Sequence, residues 1–156
     1  MEKSKLQLTS ETNTDFWNDS CSVEELKYAI ENGAVGATAN PVIIGEVLKK
    51  EMHLWEDKIY QIIDEMPSAT EDEIAWKIME EISVSGAKLL EPIFYDQKGK
   101  NGRLSFQTDP KYYRNARKIA EQALYFSSLA PNMIVKIPVT KAGVEAIEEA
   151  TYKGVS

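Results

Sequence analysis

The spacing of apolar positions along the chain predicts that strands and helices alternate. The apolar runs at residues 34–40 and 133–139 and the alternating segment 103–108 predict strands in a sheet. A shorter strand is predicted at residues 14–18, which include two aromatic side chains. The segments between the strands are long enough for helical crossovers, which join parallel neighbours. The fold class is therefore expected to be α/β, with four parallel strands adjacent in chain order.

Capping signals predict where the helices begin. Ser22 with Glu25 and Thr70 with Glu73 match the capping box, in which a hydroxyl precedes a carboxylate by three residues. Asp109-Pro110 is a cap followed by a first-turn proline, and it predicts the start of another helix. The predicted helices cover residues 23–33, 41–66, 71 to about 89, 110 to about 127 and 141–153.

Composition removes several classes of protein from consideration. A formal charge of −7 and a pI near 4.9 argue against binding to the phosphate backbone of nucleic acid. Cys21 and His53 are single residues of their types, which excludes a disulfide framework and most Cys/His metal sites. No apolar stretch approaches the ~20 residues of a membrane helix, and residues 1–5 lack the apolar core of a signal peptide. A cytoplasmic protein without a membrane partner is expected.

Lys136 is the strongest candidate for chemistry because it interrupts an apolar strand. Alternation places its side chain on the same face as Ile134 and Pro138. Loss of solvation there favours the neutral amine, which can attack a carbonyl and form a Schiff base. The alternatives are an edge-strand lysine that prevents aggregation and a lysine that extends to water. Pro138 suits the end of a strand, where parallel α/β proteins collect their sites.

Polar side chains also lie at the ends of the other three predicted strands. Asp19 follows the first strand, as an acid/base group or as a turn or helix-cap carboxylate. Asn40, with Thr38 two residues earlier, ends the second strand and either binds substrate hydroxyls or only terminates the strand. Gln107 ends the third strand, where a structural hydrogen bond is the alternative role. Together with Lys136, these residues predict a site at the carboxyl ends of the strands.

The chain length fits two architectures. A complete (β/α)₈ barrel needs ~250 residues, whereas this chain of 156 residues offers four βα units. Residues 154–156 follow the last helix and begin like a further strand. The chain is therefore expected to be either a small open four-stranded domain or the first half of a barrel.

Four motifs, in order and with the correct spacing, resemble the transaldolase family from about Asp15 to the last residue. The motifs are Asn18-Asp19-Ser20, Gly36-Ala37-Thr38-Ala39-Asn40-Pro41, Gly102-Arg103-Leu104-Ser105-Phe106-Gln107-Thr108-Asp109-Pro110 and Ile134-Val135-Lys136-Ile137-Pro138-Val139-Thr140. The resemblance implies a (β/α)₈ barrel, of which residues 1–156 would be a single domain with about the first four βα units.

The resemblance also implies a role for each candidate residue. Lys136 matches the Schiff-base lysine on strand four, and Asp19 matches the acid/base aspartate on strand one. Asn40, with Thr38 beside it, matches the asparagine that contacts bound sugar. Gln107 stands where sugar-transferring members carry a glutamate that helps to activate water, and where fructose-6-phosphate aldolases carry glutamine. The implied function is transfer of a dihydroxyacetone unit between sugar phosphates, as in the pentose phosphate pathway, without a metal or cofactor.

Two other functions remain open at this point. Gln107 favours an aldolase that releases free dihydroxyacetone. A half-barrel without activity, which acts as an assembly element, is the other possibility, because family members continue into a fifth strand where this sequence stops. The isolated chain is expected to be inactive. It is also expected to self-associate, or to pair with the missing half, through the unpaired edges of its outer strands.

Overall fold

A sheet of three parallel strands forms the centre of the computed structural model, which describes residues 3–156. The strands β1 (Gly36–Ala39), β2 (Arg103–Gln107) and β3 (Met133–Lys136) are adjacent in chain order. The predicted first strand is reduced to one parallel bridge between Asn18 and Ala37, at the free edge of β1. The predicted α/β class with parallel strands in chain order is confirmed.

Helices connect the strands and pack against one face of the sheet. They are α1 (Lys5–Ser10), α2 (Val23–Glu31), α3 (Pro41–Glu65), α4 (Glu71–Asp96), α5 (Ala116–Ser127) and α6 (Lys141–Tyr152). Thr70 and Glu73 form the predicted capping box of α4, with both reciprocal hydrogen bonds present. Within residues 3–156, no helix has the length and apolar character required to cross a membrane.

The capping box predicted for α2 is only half formed. The Ser22 hydroxyl accepts a hydrogen bond from the backbone N–H of Glu25 at 3.2 Å, as predicted. The Glu25 carboxylate does not return to the backbone N–H of Ser22, because it accepts a hydrogen bond from Lys50 Nζ of α3 at 2.8 Å. The N-terminus of α2 is therefore completed by a residue from elsewhere in the chain, described below.

The helix predicted from residue 110 is wrong at its start. Asp109 and Pro110 begin a single 3₁₀ turn, Pro110–Tyr112, in which the Asp109 carboxylate accepts from the Lys111 backbone N–H at 2.9 Å. The helix α5 begins later, after Asn115, whose side chain accepts from the backbone N–H of Lys118 at 3.1 Å. A cap followed by proline specifies the first turn only, and here Asn115 provides the cap of the following helix.

The predicted end of the last strand is also corrected. The ladder between β2 and β3 ends where the Thr108 N–H donates to the Lys136 carbonyl at 3.1 Å. Residues 137–139, which were predicted to continue the strand, lie beyond β3. Pro138 has no N–H to donate to a ladder, and its carbonyl accepts from the Thr140 N–H at 2.9 Å at the start of α6.

The main core lies between the sheet and the helices. Ala37, Leu104 and Phe106 project from the sheet into this core and are fully buried. The rings of Phe106 and Phe126 are 4.5 Å apart between centroids, which joins β2 to α5. Because side chains alternate along a strand, the residues between these buried positions project from the opposite face of the sheet.

Candidate active site

The register of the strands brings three of the five candidate residues, Thr38, Gln107 and Lys136, to one face of the sheet. Thr38 is paired with Ser105, which is paired with Ile134, and Gln107 is paired with Lys136. These five paired strand residues alternate with positions whose side chains enter the helix-packed core. Asp19 joins them through Thr38, as described next. We call this side of the sheet, which carries Thr38, Ser105, Gln107, Ile134 and Lys136, the open face.

Asp19 is held against the open face by a hydrogen bond from Thr38. The Thr38 hydroxyl donates to the Asp19 carboxylate, and Asp19 is exposed in the loop that follows the bridge residue Asn18. The Asn18 amide donates to the Ser20 carbonyl at 2.9 Å, which fixes the turn of the loop. The carboxylate is thus placed beside Thr38 on the open face while remaining accessible to solvent.

Asn40 has a structural role as a helix cap, which the sequence analysis did not predict. It directly follows β1, and its side-chain oxygen accepts hydrogen bonds from the backbone N–H groups of Val42 at 2.9 Å and Ile43 at 3.0 Å. Asn40 is therefore the N-cap of α3, with Pro41 at the first helical position. Within the described part of the chain, its amide nitrogen has no hydrogen-bond partner.

Lys136 and Gln107 are neighbours at the carboxyl end of the sheet. They are paired in the β2–β3 register, and Gln107 is partly exposed whereas Lys136 is exposed. The expectation that Lys136 loses its solvation within the strand is wrong for this chain, because the helices pack against the opposite face. The alternative of a lysine that extends to water describes its present surroundings.

Ser105 is an open-face residue that the sequence prediction missed. It is 8% exposed and stands between Thr38 and Ile134 in the row of paired residues. Its position in the alternating segment 103–108, two residues before Gln107, was a usable signal, because both residues must share a face. Within residues 3–156, no group of three or more His, Cys, Asp or Glu side chains is arranged to hold a metal ion.

The fold and the open face together define a class of protein. Consecutive βα units with polar side chains at the carboxyl ends of parallel strands are the construction of a (β/α)₈ barrel enzyme. The family model described as Transaldolase/Fructose-6-phosphate aldolase matches residues 16–156. The chain belongs to this family, and the resemblance seen in its motifs is confirmed.

Similar proteins carry the same family name. A transaldolase of Thermobifida fusca is 29% identical to this chain, over 98% of the chain and 43% of its own length. A transaldolase of Mycobacterium tuberculosis is 31% identical over 78% of the chain and 32% of its own length. A transaldolase of Campylobacter jejuni is 30% identical over 91% of the chain and 42% of its own length. The chain thus spans less than half the length of these curated relatives.

The two roles considered for Asn40 can be separated by two substitutions. Asn40→Ala removes the acceptor for two backbone N–H groups and is expected to lower the free energy of unfolding by about 1 kcal/mol. Asn40→Asp keeps an acceptor at the positive end of α3 and should leave that free energy nearly unchanged. Urea denaturation measures both variants.

A matched control is Asn115→Ala, which removes the side-chain cap of a different helix, α5, and should lower stability by a similar amount. A wild-type unfolding midpoint for Asn40→Ala would contradict the capping role.

Proposed function

We propose that residues 1–156 form the N-terminal half of a transaldolase barrel, and that the complete barrel transfers a dihydroxyacetone unit through a Schiff base on Lys136. The observation that carries this proposal is the position of Lys136 on the open face, beside Gln107 and on the same side of the sheet as the Thr38–Asp19 pair. The transaldolase relatives of this chain support the choice of reaction.

Lys136 acts as the nucleophile in this proposal. Its neutral amine attacks the ketose carbonyl carbon, and the resulting carbinolamine loses water to give an imine. The protonated imine accepts the electron pair of the breaking C–C bond, so that an aldose phosphate leaves and an enamine remains. The enamine carbon then attacks the aldehyde of the acceptor, and hydrolysis of the new imine returns the free lysine. These steps need no metal ion.

Asp19 serves as the acid/base group. The reaction needs a proton for the departing water of the carbinolamine, and it needs a base for the hydroxyl proton released during C–C cleavage. A carboxylate that accepts a hydrogen bond from Thr38 while facing solvent is suited to exchange protons with substrate and water. Thr38 orients this carboxylate, and the position of Thr38 in β1 on the open face also allows contact with a substrate hydroxyl.

Asn40 and Gln107 bind polar parts of the reacting system. The amide nitrogen of Asn40 can donate to a sugar hydroxyl while its oxygen continues to cap α3. Gln107, opposite Lys136, can position the water that forms and cleaves the imine. In a complete barrel, further strands would cover the open face and reduce the solvation of Lys136.

Replacing Lys136 should abolish the covalent intermediate. Lys136→Ala removes the amine, and Lys136→Arg keeps a cation that cannot act as the nucleophile because a guanidinium stays protonated. In the full-length protein, borohydride treatment with a ketose phosphate should add the reduced three-carbon unit to the wild type and to neither variant, as measured by mass spectrometry. Lys141→Arg is the control, because Lys141 lies in the first turn of α6, and it should be labelled normally. An adduct on Lys136→Arg would disprove the assignment.

A second candidate function is an aldolase that releases free dihydroxyacetone, and Gln107 favours it. An amide cannot take a proton from water as a carboxylate can. The step in which water hydrolyses the imine and frees dihydroxyacetone would therefore differ from that step in members that carry a glutamate. The two reactions differ in their need for an acceptor aldehyde. The transferase predicts product only when an acceptor is present, whereas release of free dihydroxyacetone without acceptor would favour the aldolase.

Residues 1–156 alone are proposed to be inactive and to self-associate, as an assembly element would. The edge beside β1 and the part of the β3 edge outside the bond from the Val135 N–H to the Ser156 carbonyl, at 3.0 Å, offer backbone for pairing, and exposed apolar side chains such as Val42 and Val139 add surface for association. Sedimentation of the purified chain should show a dimer or larger species without activity. A stable, active monomer would contradict both expectations. A cytoplasmic location stays a prediction.

A further inference from the structure

Glu51 is a charged residue buried within α3. It occupies the apolar stripe of the helix, between Val47 and Trp55, and only 3% of it is exposed. The backbone at Glu51 departs from helical geometry, with φ −112° and ψ 21°, so α3 is kinked at this residue. Its place among the apolar residues of the stripe is a signal that the sequence contained, because a carboxylate is rarely buried without a partner.

The Glu51 carboxylate caps α2 from a different helix. It accepts hydrogen bonds from the Ser22 hydroxyl at 2.7 Å and from the backbone N–H groups of Val23 at 3.2 Å and Glu24 at 3.3 Å. These donors belong to the first turn of α2, where the helix has unsatisfied N–H groups and a partial positive charge. Glu51 thus provides a carboxylate at the N-terminus of α2, whereas the Glu25 carboxylate is paired with Lys50.

This cap lies at one end of the loop that carries Asp19. The loop begins at Asn18, which pairs with β1, and ends at Ser22, which Glu51 holds. Between these two anchors, the backbone N–H of Ser22 donates to the Ser20 hydroxyl at 3.1 Å. The loop that carries Asp19 is therefore anchored to the sheet at one end and to Glu51 at the other.

We propose that Glu51 is a positioning residue, which holds the Asp19 loop so that the carboxylate of Asp19 stays beside Thr38 on the open face. Its significance for catalysis rests on the proposed function of Asp19. The kink in α3 directs the Glu51 side chain to the start of α2, and the negative charge is matched there by three donors. A glutamine at this position keeps the size of the side chain but loses the charge and one of its two acceptor oxygens.

The first test is kinetic and uses the full-length protein. Glu51→Gln should lower kcat by about tenfold or more with little change in KM, since a small displacement of a catalytic group costs rate rather than affinity. Glu80→Gln is the matched control. Glu80 is also a buried carboxylate, 7% exposed, and it accepts from the Tyr125 hydroxyl at 2.9 Å on the helix side of the sheet. Its substitution should leave kcat unchanged.

The second test reports on the loop without any activity. Cys21 is buried between Asp19 and Ser22, and burial raises the pKa of its thiol to about 12, so it should react slowly at neutral pH. Release of the loop in Glu51→Gln should increase its rate of modification by a small disulfide reagent about tenfold or more, because opening exposes the thiol. Glu80→Gln should react at the wild-type rate.

The outcomes distinguish this proposal from the proposed function. Failure to trap an adduct on Lys136 in the wild type would remove the Schiff-base mechanism, and the Cys21 rates would still decide whether Glu51 holds the loop. In an enzyme that does trap, faster Cys21 modification together with a loss of kcat confined to Glu51→Gln would support the proposal. Wild-type kcat in Glu51→Gln, wild-type Cys21 rates in it, or equal losses in Glu51→Gln and Glu80→Gln would overturn it.

Discussion

The parallel register between β2 and β3 determines which side chains can act together in this protein. It pairs Gln107 with Lys136 and Ser105 with Ile134, and the same offset carries Phe106 and Val135 toward the helices. A slip of one residue would exchange the two faces and would move Lys136 into the helix-packed core. The apolar residues of β2 oppose such a slip, because Leu104 and Phe106 are fully buried on the helix side. The hydrophobic core and the candidate site are therefore fixed by one set of backbone pairings.

The elements around the sheet place further groups at its carboxyl end. Asn40 ends β1 and begins α3, so its oxygen is used for the helix and its nitrogen remains for other contacts. Thr38 of β1 restrains Asp19, and Glu51 of α3 restrains Ser22, at the two ends of the neighbouring loop. Residues that stabilise the fold thus lie next to residues proposed to act on substrate, and substitutions at this end of the sheet need stability controls.

Local patterns were sufficient to predict much of the fold. The alternating residues around Phe106 specified β2, and the cap formed by Thr70 and Glu73 specified the start of α4, because both features depend on neighbours in the sequence. The Asp109-Pro110 pair misled the prediction, since the same signal begins either a long helix or a single 3₁₀ turn. The motifs correctly indicated the family, and the register places Thr38, Gln107 and Lys136 from three of them on one side of the sheet.

Features that depend on distant parts of the chain were not predictable in this way. Glu51 of the kinked helix α3 contacts the start of α2 across a long separation in the sequence, which no local pattern specifies. The exposure of Lys136 depends on what covers the open face, and an apolar strand sequence does not say whether a covering layer is present.

The most direct test of the arrangement is a crystal structure of the full-length protein after reduction of its imine. We expect a three-carbon adduct joined to Lys136 Nζ on the face that carries Thr38, with the Asp19 carboxylate in contact with it. An adduct on another lysine, or a Lys136 side chain directed into the helix layer, would contradict the arrangement.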